Sequence, residues 1–401
     1  MGFPCQATID LRALRANLGL ARELAGRREV IAVVKADGYG HGAVTVAKCL
    51  LEAGCTRLAV LTVPEGAALR EAGVGAGVLV LAGARNDEEA RAAVSLRLTP
   101  VLHDPEGASR LESAAAAADG SLPVHVEIDT GMHRMGVPSQ AAVAFLKRVH
   151  GSAQLELEGV FTHLACADEP DLQPSLEQIE RFRAVLQEAR ENGIDPALIH
   201  ADNSAALMCG SPLCDALPEA TAVRPGLMLY GVRPAPHLEG KLQPVMTLRA
   251  SVLAVHDVEA GRGVGYGASW CAPASGTRVA TLSVGYADGV PWTTANRGHV
   301  WLGGARRPIV GRVSMDSVAV DLGDDSRVSV GDEAVFFGAL DDAPETPSLM
   351  SVEAAAQDAG TLHYELLVRV GARVPRVVVD RASRLGYKSG RALPRHIAPT
   401  D

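Results

Sequence analysis

Lys35 is the residue of this chain whose setting points most directly to chemistry. It follows the apolar run Val30 to Val34 and opens a turn that contains Gly38, Gly40 and Gly42. A short run rich in Val and Ile is typical of a parallel strand that is covered on both faces. A lysine at the mouth of such a strand is costly to desolvate, which lowers its pKa and favours a neutral amine able to form a Schiff base. A lysine that extends its ammonium from a strand end into solvent fits this spacing equally well.

The segment from Val34 to Gly42, with the sequence Val-Lys-Ala-Asp-Gly-Tyr-Gly-His-Gly, resembles the pyridoxal-phosphate lysine motif of the alanine racemase family. Further motifs of the family follow in the same order, and the resemblance extends from about Ala7 to about Arg376. It implies a pyridoxal-phosphate-dependent enzyme that interconverts L-alanine and D-alanine and so supplies D-alanine for peptidoglycan. It also implies a homodimer.

The cofactor needs an amine for its aldehyde, donors for its phosphate and a partner for its pyridine nitrogen. The resemblance assigns the amine to Lys35 and the pyridine nitrogen to Arg224. Because arginine is always charged and only donates, it weakens the ring as an electron sink and favours simple proton return over transamination. Seen locally, Ser204 is more simply interpreted as a helix cap and Gly226 as a turn glycine. The other predicted cofactor-binding residues are Tyr39, His163, Asn203, Ser204, Gly226, Leu227 and Tyr364.

Racemisation needs two bases, one on each face of the substrate Cα. Lys35 serves one face, and the resemblance assigns the other face to Tyr266. A free tyrosine has a pKa of ~10 and needs a neighbour that tunes it. His163 is that neighbour, kept neutral by the charge of Arg224, and His200 extends the network. In the family these two bases meet only across a head-to-tail dimer, so a monomer should hold no complete site.

Substrate contacts also follow from the resemblance. Arg134 and the backbone of Met315 hold the substrate carboxylate, Tyr286 narrows the entrance, and Asp316 belongs to the same motif as Met315. Glu127 stands where many members of the family carry a carbamylated lysine that braces Arg134. A carboxylate has the same charge and geometry with a shorter reach.

A second departure from the family pattern concerns the entrance corridor. Trp292 stands where the family usually has an arginine. The corridor would then keep Asp168 and Arg312 without a second cation. The histidines His103, His125 and His150 are interpreted as ordinary structural residues.

Short apolar runs alternate with helical patterns between residues 30 and 230. Eight such runs, each followed by a helix or loop, favour a (β/α)₈ TIM-type barrel over a doubly wound sheet, because the chain has no Rossmann fingerprint. Most of the predicted site residues of this part follow the ends of these runs, where the active site of a barrel lies. The predicted strands cover residues 30–34, 57–61, 77–81, 96–101, 124–128, 157–162, 197–201 and 222–224.

The sequence pattern of alternating apolar runs and helical segments ends at the proline-rich link at residues 231–236. Short apolar runs separated by turns rich in Gly, Asp and Pro predict a mainly β second domain. The predicted division is a cofactor-binding barrel over residues 1–235, a β-strand domain that supplies the second base over 236–386, and a flexible tail over 387–401.

Composition excludes several classes of protein. The 38 basic and 47 acidic residues are interspersed and give a net charge of -9, so no basic block offers a footprint for nucleic acid. Seven scattered cysteines favour reduced thiols, and their spacing argues against a zinc site. No metal is expected. The absence of a membrane-spanning run and of a signal sequence predicts a cytoplasmic protein.

Three other functions fit part of this pattern. A racemase of serine or of a broader set of small amino acids would share these motifs. A decarboxylase of the same fold type would use an acid at the pyridine nitrogen, which Arg224 argues against. A non-enzymatic pyridoxal-phosphate carrier protein would lack the β domain, which residues 245–380 and Tyr266 argue against.

Overall fold

A closed ring of eight parallel strands forms the first part of the computed structural model, which describes residues 4–340 and 350–380. The strand at residues 99–102 pairs with the strand at residues 77–80 and also with the strand at residues 122–129. This second pairing closes the ring. In chain order the strands up to residue 223 are β1 (Cys5–Asp10), β2 (Glu29–Val33), β3 (Arg57–Val60), β4 (Gly77–Val80), β5 (Thr99–Leu102), β6 (Leu122–Asp129), β7 (Val137–Pro138), β8 (Leu155–Phe161), β9 (Leu198–His200) and β10 (Ala222–Val223). All of these except β1 and β7 form the ring.

Helices follow the strands and cover the outside of the ring. Several begin at side-chain caps: Asp10 accepts hydrogen bonds from two backbone N–H groups of the first helix, and Thr62 forms a capping box with Glu65. Inside the ring, Ile31, Val33, Ala59, Leu79, Val101, Phe161, Leu198 and Ala222 pack into one apolar cluster. The helices are α1 (Leu11–Ala25), α2 (Lys35–Tyr39), α3 (Ala43–Glu52), α4 (Val63–Glu71), α5 (Asp87–Ser95), α6 (Pro105–Ala117), α7 (Ser139–His150), α8 (Gln173–Glu191), α9 (Ser204–Cys209) and α10 (Leu213–Ala216).

The second part of the chain is a mainly antiparallel sheet with two helices. Pairing of β14 with both β11 and β17 closes six of its strands into a ring. Its strands are β11 (Met246–Val258), β12 (Gly263–Val264), β13 (Trp270–Cys271), β14 (Thr277–Leu282), β15 (His299–Leu302), β16 (Ala305–Val310), β17 (Val318–Gly323), β18 (Glu333–Phe337) and β19 (Arg376–Val379), with β12 and β13 forming a separate hairpin. The helices are α11 (Val352–Ala359) and α12 (His363–Arg369).

The predicted fold class, a TIM-type barrel followed by a mainly β domain, is confirmed. Each of the eight predicted barrel strands overlaps a strand of the ring, with ends shifted by up to three residues. Residues 5–10, which the predicted division places with the barrel, form β1, and this strand pairs with β11 and β19 of the second sheet. The boundary at residue 235 stays a prediction, and the predicted tail at 387–401 lies outside the described residues.

Helix α12 of the second part lies directly against the turn that follows Lys35. Gly40 has a φ of +81°, and a Cβ atom at this position would come within 2.3 Å of the carbonyl oxygen of Leu367. Arg376 donates a hydrogen bond from Nε to the carbonyl oxygen of Gly40 at 3.0 Å. The absence of a side chain at Gly40 therefore lets the second domain reach the mouth of the barrel.

Candidate active site

The turn after β2 holds Lys35 in an uncommon backbone conformation. Ala36, Asp37 and Tyr39 have φ values of +52°, +53° and +53°, a region that residues other than glycine rarely adopt. Two carboxylates stabilise this turn: Glu65 accepts a hydrogen bond from the backbone N–H of Ala36, and Asp37 accepts one from Ala43, each at 2.8 Å. Such strain persists where the surrounding structure holds it, and it is frequent at functional sites.

Partial burial changes the acid–base properties of Lys35. Desolvation, followed by the nearby charge of Arg134, lowers the pKa of the Lys35 amine, and Glu65 opposes this change. The neutral amine is the form that attacks an aldehyde or accepts a proton. This environment agrees with the interpretation of Lys35 as a reactive residue.

A cavity of about 850 Å³ opens above Lys35 at the carboxyl ends of the barrel strands. Its volume is in the range of small-molecule and cofactor sites. All nine predicted cofactor-binding residues line it: Lys35, Tyr39, His163, Asn203, Ser204, Arg224, Gly226, Leu227 and Tyr364. Arg134, Glu127 and Asp168 line it as well.

Arg224 is buried and held rigidly by the ends of β8, β9 and β10. Nη1 lies 2.5 Å from Nδ1 of His200, and Nη2 donates to the carbonyl oxygen of Thr162 at 2.8 Å. The guanidinium carbon lies 4.5 Å from the centroid of the Phe161 ring. Burial lowers the pKa of Arg224 to about 10, so the group stays charged at neutral pH.

His163 lies beside Arg224 in a neutral environment. Burial, followed by the charges of Arg224, Arg134 and Lys35, lowers its pKa to about 3. Charge repulsion therefore contributes as expected, but desolvation is the larger cause. Nη2 of Arg224 lies 3.5 Å from Nδ1 of His163. Because arginine only donates, Nδ1 carries the lone pair and Nε2 carries the proton.

Backbone N–H groups and two hydroxyl groups lie together where Tyr39, Ser204 and Gly226 line the cavity. Oγ of Ser204 accepts hydrogen bonds from the backbone N–H groups of Gly226 and Met228 at 2.9 and 3.3 Å. A Cβ atom on residue 226 would lie 2.4 Å from the hydroxyl oxygen of Tyr39, so glycine is needed to leave this space open. Burial raises the pKa of Tyr39, which keeps its hydroxyl protonated as a donor. The cap of α9 is Asn203, which accepts from two backbone N–H groups, rather than Ser204.

Glu127 and Arg134 both line the cavity, but the ion-pair partner of Glu127 is His103. Oε2 of Glu127 lies 3.3 Å from Nδ1 of His103. Among the contacts of the described residues there is no pair between Glu127 and Arg134, whose side chain is exposed. The role of Glu127 as a brace for Arg134 stays a prediction.

The predicted site residues of the second domain separate into two groups. Tyr364 on α12 lines the cavity, and burial raises its pKa to about 12. The other four are not among the lining residues within the described ranges. These are Tyr266, which is 71% exposed, Tyr286 and Met315, which are exposed, and Asp316, which pairs with Arg373 at 2.7 Å.

The sequence interpretation missed three residues that shape the site. Phe161 stacks on His200 with ring centroids 4.8 Å apart, and it also lies under Arg224. His125, interpreted as an ordinary structural residue, contacts His200. Glu65 holds the turn after Lys35. The capping-box pattern from Thr62 to Glu65 was the one local signal that could have singled out any of them.

Comparison with known proteins decides the family. The Alanine racemase N-terminal domain family matches residues 9–234, and the Alanine racemase C-terminal domain family matches residues 245–378. The chain belongs to the alanine racemase family. An alanine racemase of Carboxydothermus hydrogenoformans is 41% identical over 381 residues, covering 94% of this chain and 100% of that protein. One of Desulforamulus reducens is 39% identical over 386 residues, with the same two coverages.

Solved structures of the alanine racemase family agree with this assignment. The enzyme from Streptomyces lavendulae superposes with a TM-score of 0.87 at 36% identity, covering 95% of this chain and 98% of that one. The enzyme from Bartonella henselae, solved with covalently bound pyridoxal phosphate, gives a TM-score of 0.83 at 28% identity, with coverages of 94% and 100%. The predicted resemblance is thus confirmed, and the chain is an enzyme. No helix within residues 4–340 and 350–380 is long and apolar enough to cross a membrane.

Proposed function

We propose that this chain interconverts L-alanine and D-alanine with pyridoxal phosphate bound to Lys35, and that Tyr266 of the partner subunit is the second base. The proposal depends above all on one observation: Lys35, Arg224, His163 and Arg134 line a single cavity, in a chain of the alanine racemase family. The product D-alanine would serve peptidoglycan synthesis in the cytoplasm.

The cavity fits the cofactor chemically at both ends. Lys35 would bind the aldehyde, and Arg224 would face the pyridine nitrogen. The hydroxyl of Tyr39, the space at Gly226 and the backbone N–H groups of Ser204 and Leu227, the first residues of α9 and of the turn Leu227–Tyr230, would receive the phosphate. Bound pyridoxal phosphate supplies an electron sink that acidifies the Cα–H bond of the amino acid.

The two bases work on opposite faces of the substrate. Nζ of Lys35 takes the proton from one face or returns it there, and its lowered pKa keeps a fraction of the amine neutral for this step. Oη of Tyr266 of the partner subunit does the same on the other face. Tyr266 is 71% exposed and lies outside the cavity of its own chain within the described residues, which supports a site completed by a second copy.

His163 and Arg134 prepare the site for these transfers. Neutral His163 carries a proton on Nε2 that it can donate to Oη of Tyr266 of the partner subunit, stabilising the phenolate form of the base. Arg134 is exposed toward the cavity and would hold the substrate carboxylate as a charge-assisted pair. Arg224 remains charged and donor-only, so the ring nitrogen receives no proton from it.

Chiral analysis of a panel of L-amino acids incubated with the purified protein tests this function. We expect D-alanine to form fastest, and Lys35→Ala to abolish it. Borohydride reduction followed by mass spectrometry should locate the cofactor adduct on Lys35, with exposed Lys48 unmodified. Faster racemisation of serine than of alanine would contradict the substrate assignment, and an adduct on another lysine would contradict the site.

A further inference from the structure

Three hydrogen bonds connect Arg224 to a carboxylate at the other end of the barrel. Nη1 of Arg224 lies 2.5 Å from Nδ1 of His200, and Nε2 of His200 lies 2.9 Å from Nδ1 of His125. Nε2 of His125 in turn lies 3.2 Å from Oε2 of Glu158. Both histidines and Arg224 are buried, so this chain of side chains runs through the interior of the ring.

The two ends of this chain determine its direction. Arginine can only donate, so Nδ1 of His200 accepts and Nε2 of His200 carries the proton. That proton is donated to Nδ1 of His125, which leaves the proton of His125 on Nε2, directed at Glu158. Burial lowers the pKa of both histidines, which agrees with one proton on each ring. All three hydrogen bonds therefore point from Arg224 toward Glu158.

Glu158 is held in place as the final acceptor. Nη1 of Arg57 forms an ion pair with Oε1 of Glu158 at 2.8 Å, and Oε2 contacts His125. The hydrogen bond from His125 and the charge of Arg57 lower the pKa of Glu158. Arg57 begins β3 and its side chain is 29% exposed, so the chain of hydrogen bonds ends near solvent at the amino-terminal end of the barrel.

The fold also makes room for this arrangement. A Cβ atom on Gly159 would come within 2.5 to 2.8 Å of three atoms of the His125 ring. The ring of Phe161 stacks on His200 with an angle of 10° between the planes. Gly159 and Phe161 lie on the same strand as Glu158. Gly159 leaves room for the imidazole of His125, and the ring of Phe161 holds the imidazole of His200 by stacking.

We propose that Glu158 is a positioning residue for Arg224: its carboxylate sets the tautomers of His125 and His200, and so presents a lone pair to the guanidinium that faces the cofactor ring. This role rests on the proposed function. Within the described residues, Glu158 is not among those that line the cavity. It acts on the reaction by keeping Arg224 in the orientation that its contacts with His200 and Thr162 define.

Glu158→Gln tests the direction of the chain because an amide cannot accept at both oxygen positions. If its oxygen takes Arg57, its NH₂ faces Nε2 of His125 and needs a lone pair there. His125 must then carry its proton on Nδ1 and donate it to Nε2 of His200. His200 must in turn carry its proton on Nδ1, which then faces the donor Nη1 of Arg224. The opposite orientation would place the NH₂ against the charged guanidinium of Arg57, so we expect the amide oxygen to stay on Arg57. Either arrangement places two donors against each other.

A second substitution should relieve this conflict. In Glu158→Gln/Arg57→Met the amide is free to turn its oxygen toward His125, which restores the original direction. Glu156→Gln is the matched control, because Glu156 lies two residues earlier on β8 and is exposed. Nitrogen-15 NMR of histidine-labelled protein without cofactor reports the tautomers, and steady-state kinetics of the holoenzyme report the consequence.

In the wild type and in Glu156→Gln we expect both rings protonated at Nε2. In Glu158→Gln we expect His125 protonated at Nδ1 and a fall in kcat of roughly tenfold to a hundredfold with little change in KM for alanine. In the double variant Glu158→Gln/Arg57→Met, the Nε2 tautomers and kcat should both return to those of the wild type. Unchanged tautomers, unchanged kcat, or a loss that Arg57→Met does not restore would overturn the proposal. An inactive wild type would instead refute the proposed function, while the tautomers would still decide the direction of the chain.

Discussion

Oε2 of Glu127 lies 3.3 Å from Nδ1 of His103 at the wall of the candidate active site. Nε2 of the same ring donates to the carbonyl oxygen of Leu81 at 2.9 Å. A carbonyl oxygen only accepts, so Nε2 of His103 carries a proton, while Nδ1 has no hydrogen-bond partner among the described residues. Among the described residues, the basic side chain in contact with Glu127 is therefore His103 and not Arg134.

Glu127 should support Arg134 without carbon dioxide, because its charge is built in. We expect the activity of the wild type to be indifferent to bicarbonate. Glu127→Gln keeps the shape and removes the charge, so it should raise KM for alanine by a factor that corresponds to about 1 to 3 kcal/mol. Kinetics with and without bicarbonate measure this, with exposed Glu156→Gln as control. An unaffected KM would show that Glu127 serves His103 alone.

Active sites should form only between subunits. Lys35→Ala and Tyr266→Phe should each be inactive, whereas mixed dimers should contain one site with both bases and regain part of the activity. Racemisation measured after unfolding and refolding the two variants together checks this, with each variant refolded alone as control. Failure to recover activity, where hybrid dimers are demonstrated by mass, would indicate a site built within one chain.

Gly40→Ala should separate α12 from the turn after Lys35. The new Cβ atom would lie 2.3 Å from the carbonyl oxygen of Leu367, and φ at this position is +81°. We expect a loss of at least about 2 kcal/mol in the free energy of unfolding, and weaker cofactor binding because Tyr364 moves with α12.

Gly19→Ala is the control for that change. Gly19 lies inside α1, and a Cβ atom there would meet nothing within 4 Å. This variant should be slightly more stable than the wild type, by about 0.5 to 1 kcal/mol. Denaturant midpoints and cofactor titrations compare the two, and equal stability of both variants would refute the close contact at Gly40.

His41 should make the protein sensitive to acid. Its Nδ1 lies 3.0 and 2.9 Å from the carbonyl oxygens of Gly38 and Tyr39, while its buried Nε2 has no hydrogen-bond partner among the described residues. Burial lowers the pKa of His41 from 6.5 to about 4. The unfolded chain therefore binds more protons below pH 6.5, and stability falls as the pH decreases from about 7 toward 4.

His41→Asn should flatten this pH dependence by up to about 3 kcal/mol between pH 7 and 4, since asparagine can still donate to Gly38 but does not titrate. Urea unfolding at fixed protein concentration measures the free energy at each pH. His150→Asn, at an exposed position, should leave the dependence as in the wild type. An unchanged slope in His41→Asn would mean that the acid sensitivity comes from His125, His163 or His200.

Much of the site was already determined by the sequence itself. Most of the residues that line the cavity come from short segments at the carboxyl ends of barrel strands, and alternating apolar runs and helical patterns predict where those ends fall. Lys35, two residues after the end of β2, and Arg224, directly after β10, are examples. In a closed parallel barrel such positions converge on one rim whatever the details of packing, so a local pattern is sufficient to bring them together.

Other features depended on residues that are distant in the chain and meet only after folding. The pairing of β1 with β11 joins residues about 240 positions apart, and it moves the start of the chain into the second sheet. The partners of Glu127 and of His125 depend on which side chains of neighbouring strands face each other inside the ring. The register of those strands decides this, and no local pattern reports it, because burial, side-chain direction and hydrogen-bond partners are determined jointly by the whole barrel.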